Sequence, residues 1–318
     1  MTESTTEDRH GTAAKSGPAR GIITVAFGSE RYLRMARLLA ESLDLHAPDL
    51  PRALVTDSTD RKLTALYDYV LPYQPEWGKG WLYKLHLNDC SPFRETLYID
   101  CDCIVVGGLD HIWRLFADIP FGVEGRQVSD GEFVGDVAER CRSLGVESIP
   151  RFNGGMYYFD DSDAAAAVFD TARGLMSRYD ELGLQPHARG ISNDEPVVSM
   201  ALATHGIRAV DDGGTTMRTP IDIRGPLRID VLRGYCRFDK GGVEVHPAIA
   251  HFADWRSRGF HYNREALKLW LASRLPLPRP VLSTAVNVLA NPPYAVGRVV
   301  VRPLLPLIRR VYRRWAYR

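Results

Sequence analysis

The sequence predicts an α/β fold with a mainly parallel sheet flanked by helices, and three observations carry that prediction. Short β-branched apolar runs alternate with stretches of helical periodicity from residue 21 onward. Gly, Pro, Asp and Ser punctuate the joints between them. The run Leu97-Tyr98-Ile99-Asp100-Cys101-Asp102-Cys103-Ile104-Val105-Val106 is apolar strand material interrupted by two carboxylates. An apolar run does not bury two unpaired carboxylates without cost, so they need a cation, a metal or an open crevice.

The elements follow in order. Gly21 to Phe27 reads as a first strand, followed by a helix with Tyr32, Met35, Ala36, Leu38, Leu39 and Leu43 at helical spacing. Arg52 to Asp57 is a second strand, Arg61 to Leu66 a short helix, and Tyr69-Val70-Leu71 a third strand. Residues 72–80 form a loop with glycine hinges, and Trp81 to Leu87 suits a helix leading into the aspartate run. Extended backbone sends residues i and i+2 to one side, so Asp100 and Asp102 aim together, with Cys101 and Cys103 packing on the opposite face. In such sheets ligands bind beyond the carboxyl ends of strands, which places the pair at such an end, before a bend. Residues 125–150 lack an apolar period and read as an insertion. A strand over 153–159, a helix over about 163–182, a helix opening at Ser192-Asn193-Asp194-Glu195-Pro196, a strand over 207–210 and a strand 248–252 containing His251 complete the reading.

A chain of 318 residues makes one large domain or two modest ones, and 45% hydrophobic with 25% charged residues is globular composition. No apolar run is long enough to span a bilayer. Residues 1–20 are polar with no hydrophobic core, which predicts a disordered lead and no signal peptide. Five cysteines, odd in number and without Cys-x-x-Cys spacing, predict reduced thiols in a cytoplasmic compartment and no zinc site.

The net charge of +1 hides a segregation. Residues 274–318 carry nine arginines and no Asp, Glu or Lys, which leaves residues 1–273 at −8. Arginine interleaved with Leu, Val, Trp315, Tyr312 and Tyr317 suits an anionic membrane surface, where aromatic rings sit at the interface. Nucleic acid would use the same charge but not the aliphatic content, so no nucleic-acid partner is expected. Packing of a helical tail on its own acidic domain is the competing expectation. Residues 274–318 are thus read as a basic amphipathic tail, on a cytoplasmic protein peripheral to the inner face of the membrane.

A second Asp-x-Asp, Asp161-Ser162-Asp163, precedes Ala164 to Phe169 and reads as a helix cap. The pair at 100 and 102 belongs to an ordered series: Tyr83-Lys84-Leu85-His86-Leu87, Thr96 to Asp102, Leu109-Asp110-His111-Ile112-Trp113-Arg114-Leu115-Phe116, Phe152-Asn153-Gly154-Gly155-Met156, Asn193-Asp194-Glu195-Pro196 and His251-Phe252. With the N-terminal strand and helix, this series over about residues 21–262 resembles glycosyltransferase family 8, the retaining nucleotide-sugar transferases that include glycogenin and bacterial lipopolysaccharide glucosyl- and galactosyltransferases.

The resemblance implies a GT-A nucleotide-diphospho-sugar transferase fold over 21–273 and a hexosyl transfer from a nucleotide-sugar, a UDP-sugar by family habit, to a saccharide or lipid-linked acceptor. It implies that Asp100, Asp102 and His251 bind Mn²⁺ or Mg²⁺ bridging the donor diphosphate, which fits hard oxygen donors plus one imidazole. Lys84 falls at a donor- or phosphate-contacting lysine, Asn153, Gly154 and Gly155 at the stretch touching the transferred sugar, and Asp194 and Glu195 at the catalytic pair. Glu195 replaces the family's glutamine, and a carboxylate there stabilises, or attacks, a positively charged anomeric carbon. The same residues also suit a plain helix start.

Two further departures stand out. The loop from Thr24 to Tyr32 is one residue longer than usual, which affects the base contacts implied for Thr24, Val25, Ala26 and Tyr32. After His251-Phe252 the family's Gly-x-x-Lys-Pro-Trp becomes Asp254-Trp255-Arg256-Ser257-Arg258. Ser257 holds the phosphate-binding lysine position, and Arg256 or Arg258 is expected to supply the cation. Two alternatives compete: a silent nucleotide-sugar-binding scaffold, and a haloacid-dehalogenase-type phosphohydrolase, for which Val210-Asp211-Asp212 resembles the downstream acidic pair.

Overall fold

The computed structural model describes residues 17–184, 192–253 and 258–296. The chain opens with β1 (Arg20–Val25), α1 (Glu30–His46), β2 (Arg52–Thr56), α2 (Arg61–Thr64) and β3 (Tyr69–Pro72). Ser29 caps α1 by accepting from the Arg31 amide, and Met35, Ala36, Leu38, Leu39 and Leu43 turn inward. Tyr32, placed on that inward stripe by its spacing, lies in the first turn and is 42% exposed. Gly80–His86 winds as a 3-10 helix and runs into the single turn α3 (Leu87–Cys90), tighter than the regular helix expected.

Next come β4 (Glu95–Ile99), β5 (Cys103–Val105), α4 (Asp110–Leu115), β6 (Phe121–Gly122), β7 (Gly125–Val128), α5 (Val137–Leu144), β8 (Ile149–Phe152) and β9 (Met156–Asp160). The insertion at 125–150 is therefore structured. β7 and β8 pair antiparallel around α5, over a satellite core of Phe133, Val137, Cys141 and Ile149. α6 (Asp163–Met176) is shorter than the helix expected to 182, and Ser162 caps it by accepting from the Ala165 amide, as read.

α7 (Asp194–Thr204) leads to β10 (Met217–Arg218), β11 (Ile223–Asp230), β12 (Tyr235–Lys240), β13 (Val243–Val245), β14 (Ile249–His251), α8 (Asn263–Ala272) and α9 (Arg279–Val296). The strand expected over 207–210 reduces to one bridge between Val210 and Glu124.

The central sheet has the order β3-β2-β1-β4-β9-β6. β3, β2, β1 and β4 run parallel, and β9 lies antiparallel to β4 and β6. A second sheet, β10-β14-β5, continues from the end of β4, and β11-β12-β13 form a separate antiparallel sheet. Apolar layers cover both faces of the central sheet.

The segment from 274 begins inside the domain. Leu282, Ser283 and Val286 of α9 are buried. The wholly buried Lys268 lies 3.0 Å from both Asp230 Oδ2 and Glu265 Oε1, and Ser283 and Asn287 donate to the same Asp230 carboxylate. This buried network fixes the register of α9 on α8 and β11. Residues 1–16 and 297–318 lie outside the described residues. No helix among the described residues is long and apolar enough to cross a membrane.

Candidate active site

The apolar run of Leu97 to Val106 is not one strand. β4 ends at Ile99, β5 starts at Cys103, and the Cys103 amide donates to Asp100 O at 3.0 Å across a tight turn. The turn moves the chain from the central sheet to the second sheet, so the aspartates converge through a bend at a strand's carboxyl end. Asp102 Oδ1 lies 3.2 Å and Asp100 Oδ2 3.7 Å from His251 Nε2. Cys103 and His251 are direct partners in the β5–β14 register, which delivers the histidine to the pair. Cys101 and Cys103 are buried in different apolar layers.

His251 is fixed from its other nitrogen, since Nδ1 lies 3.1 Å from Thr219 Oγ1. Burial alone would push the imidazole pKa down, but the hydrogen bond and charge of Asp102, with Asp100 behind it, hold it above the ordinary value. Gly155 makes room for the ring: a Cβ there would stand 2.6 Å from His251 Nδ1. The strand expected from residue 153 begins at Met156. Asn153 to Gly155 form a turn in which Asn153 Oδ1 accepts from the Gly155 amide and Gly155 O accepts from the Asp100 amide. The second glycine therefore accommodates His251.

Lys84 joins the two halves of the site. Its buried ammonium donates to Asp100 Oδ2 at 3.0 Å and Gly154 O at 2.8 Å, and stands 3.7 Å from Asp194 Oδ2. Burial opposes its charge, yet Asp100 and Asp194 win and raise its pKa. Its nitrogen is surrounded by Asp100, Asp194 and the Gly154 carbonyl. Asp100 is held on both oxygens, by Lys84 and by the Tyr98 hydroxyl.

Asn193 caps α7 by accepting from the Glu195 amide. This places Asp194, 1% exposed, against the Tyr157 hydroxyl at 2.5 Å, and Glu195 Oε1 against the Gly154 amide at 2.8 Å. Burial raises both carboxyl pKa values; Lys84 opposes the rise at Asp194, and the Asp194 charge adds to it at Glu195. A Cβ on Gly154 would stand 2.8 Å from the Tyr157 hydroxyl and 3.1 Å from Asp194 Oδ2.

Thr24, Val25 and Ala26 lie at the carboxyl end of β1. The Thr24 hydroxyl is buried without a hydrogen-bond partner among the described residues. Beside them Phe27 stacks on Tyr73 with centroids 3.9 Å apart, and the Gly28 amide donates to the Asp57 carboxylate. Arg256 and the Arg258 side chain lie outside the described residues. Thr219, Tyr98, Tyr157, Phe27 and Tyr73 are members of the site that the sequence reading did not single out; Tyr73 lies in the segment read as a loop, and Phe27, Tyr98 and Tyr157 in segments read as strands.

The donor set fits a divalent cation. Two carboxylates and one imidazole nitrogen converge, the second imidazole nitrogen is anchored, and Asp102 Oδ1 is buried against His251. Asp102 and His251 stand where they could act as direct donors, and Asp100 is shared with Lys84. Asp212, the expected acidic residue of a phosphohydrolase, is otherwise engaged. It accepts from the Gly214 and Thr215 amides and pairs with Arg218 at 2.9 Å.

No protein-family profile matches the chain, and no curated protein matches it. Solved structures do. The galactosyltransferase LgtC in complex with donor and acceptor sugar analogs is 14% identical, with a TM-score of 0.52 over 81% of this chain and 96% of that one. An active-site glutamine-to-glutamate mutant of LgtC matches with the same values. At this identity the likeness establishes the fold, which is the GT-A glycosyltransferase fold and not that of a haloacid-dehalogenase-type phosphohydrolase.

Proposed function

We propose that the chain is a metal-dependent glycosyltransferase that moves a hexosyl group from a nucleotide-sugar, a UDP-sugar first of all, to a saccharide or lipid-linked acceptor. The observation that carries this reading is the Lys84 bridge, which ties the Asp100–Asp102–His251 cluster to the Asp194–Glu195 carboxylates in one continuous site. LgtC, which shares the fold, was solved with donor and acceptor sugar analogs. Retention at the anomeric carbon is taken from the resemblance to glycosyltransferase family 8.

Asp102 and His251 would hold Mn²⁺ or Mg²⁺, with Asp100 beside them, and the ion supplies Lewis-acid neutralisation of the departing nucleoside diphosphate. The chain's own residues do the remainder. Thr219 keeps His251 Nε2 aimed at the aspartates. Asp194, buried between Tyr157 and Lys84, positions the sugar-facing turn and is not itself presented to substrate. Glu195 is only partly buried, and its Oε1 is fixed by the Gly154 amide. It is the carboxylate we assign to stabilising positive charge at the anomeric carbon. The end of β1, with Thr24 and the Phe27–Tyr73 stack, is assigned to the base, and Arg256 and Arg258 to the diphosphate.

The test is incubation of the full chain with UDP-, GDP- and TDP-sugars plus Mn²⁺, following nucleotide release. Release that Asp102→Asn abolishes is expected. Nucleotide-sugar binding without turnover would overturn the transferase reading in favour of a silent scaffold.

For location we propose that residues 297–318, together with the exposed face of α9, engage an anionic membrane from the cytoplasmic side. Seven arginines follow residue 296, and Val281, Val288 and Leu289 of α9 are exposed. Removing residues 297–318 is expected to abolish co-sedimentation with anionic vesicles; undiminished co-sedimentation would refute this.

A further inference from the structure

We propose that Cys103 gives the cation site a second binding mode, in which borderline and soft divalent ions such as zinc, cobalt and cadmium are captured by Asp102, Cys103 and His251 together. The proposal rests on Asp102 and His251 being cation ligands, and it adds a metal-selectivity role for a residue first read as packing. One ligand atom each from Asp102, Cys103 and His251 lies within 4.8 Å of the other two. The backbone builds this cluster: Cys103 and His251 are register partners on adjacent strands, so their side chains share one side of the sheet. Asp102 precedes Cys103 at the turn. All three residues are buried.

Ion chemistry then separates two modes. A hard ion such as Mn²⁺ prefers oxygen and leaves the thiol protonated, drawing on Asp102, His251 and the outward-facing Asp100. A borderline or soft ion forms a metal–sulfur bond; the S–H bond breaks and its proton leaves to solvent. Asp100 is not required in that mode, because Asp102, Cys103 and His251 already converge as three donors. Both modes use Asp102 and His251, so the two kinds of ion compete for the same site. Zinc or cadmium bound in this way therefore antagonises the manganese form.

The test is a Co²⁺ titration of the full chain, read by absorption. Expected are a thiolate-to-cobalt charge-transfer band in the wild type, its loss in Cys103→Ser, and its persistence in Cys101→Ser, since Cys101 packs in a different apolar layer. Cadmium affinity in Cys103→Ser should fall at least about tenfold, with Mn²⁺ affinity by electron paramagnetic resonance changed less than about twofold. A wild-type chain that shows no such band at saturating Co²⁺ overturns the proposal, as does a band that survives Cys103→Ser. Should Cys103→Ser fail to fold, Cys103→Ala and the wild-type spectrum decide. Failure of donor turnover with Mn²⁺ would sink the transferase reading and leave this band untouched.

Discussion

Lys84 Nζ lies 3.0 Å from Asp100 Oδ2, with the lysine side chain 6% and the aspartate 22% exposed. This contact sets the electrostatics of the site, because the same ammonium is the only cation within reach of Asp194 among the ion pairs of the described residues. Replacing Lys84 with Met leaves Asp194 charged, buried and unpaired. Breaking a buried pair from one side typically costs about 3–5 kcal/mol. Lys84→Met is therefore expected to destabilise the fold by about 3 kcal/mol and to abolish donor turnover, measured by denaturant unfolding and nucleotide release. A variant of wild-type stability would remove the bridge from the account.

Glu195→Gln separates charge from shape. The amide oxygen can still accept from the Gly154 amide, so the 2.8 Å contact and the N-terminal cap of α7 survive. Expected are unchanged thermal stability, little change in KM and a fall in kcat of about 10²-fold or more, the usual scale for removing one electrostatic group from a transition state. A kcat within a few-fold of wild type would assign Glu195 only to holding the Gly154 turn against the first turn of α7.

The His251 ring is held between a glycine and a hydroxyl. Thr219→Val removes the partner of Nδ1 without changing side-chain volume, and about 10- to 100-fold weaker Mn²⁺ binding is expected. Gly155→Ala would put a Cβ 2.6 Å from Nδ1 and displace the ring, with a loss at least as large. Mn²⁺ titration by electron paramagnetic resonance measures both. Equal affinity in wild type and both variants would show that His251 is not a ligand.

Local periodicity made most of this architecture legible. The strand–helix order from β1 to β3, the inward stripe of α1 and the convergence of Asp100, Asp102 and His251 all follow from patterns within a few residues or from the ordered motif series. The turns at 100–102 and 153–155 were hidden, because short apolar runs on either side of a bend read as one strand. The sheet β11-β12-β13 was missed because Gly225, Pro226 and the arginines at 224 and 228 break its alternation. Thr219 is invisible to sequence spacing: it meets His251 from a loop 32 residues earlier. The docking of α9 likewise depends on Asp230 meeting Ser283 across 53 residues.

A second buried charge group predicts the pH response of the fold. Arg218 sits between Glu124 and Asp212. Burial works against the Asp212 charge, but hydrogen bonds from Thr216 and the charge of Arg218 hold its pKa low. Glu124 takes the opposite course: burial, with the Asp212 charge adding to it, outweighs Arg218 and pushes its carboxyl from 4.5 up to about 8. Between those two values the unfolded chain has released this proton and the folded chain still holds it. The folded state then binds more protons, so the contribution of Glu124 to stability falls as pH rises through that window and levels off above it. Glu124→Gln cannot ionise and is free of this penalty. Its unfolding free energy relative to wild type is expected to increase from pH 5 to pH 8, as measured by urea denaturation at each pH. A difference independent of pH would mean that Glu124 is ionised throughout and that Arg218 serves both carboxylates equally.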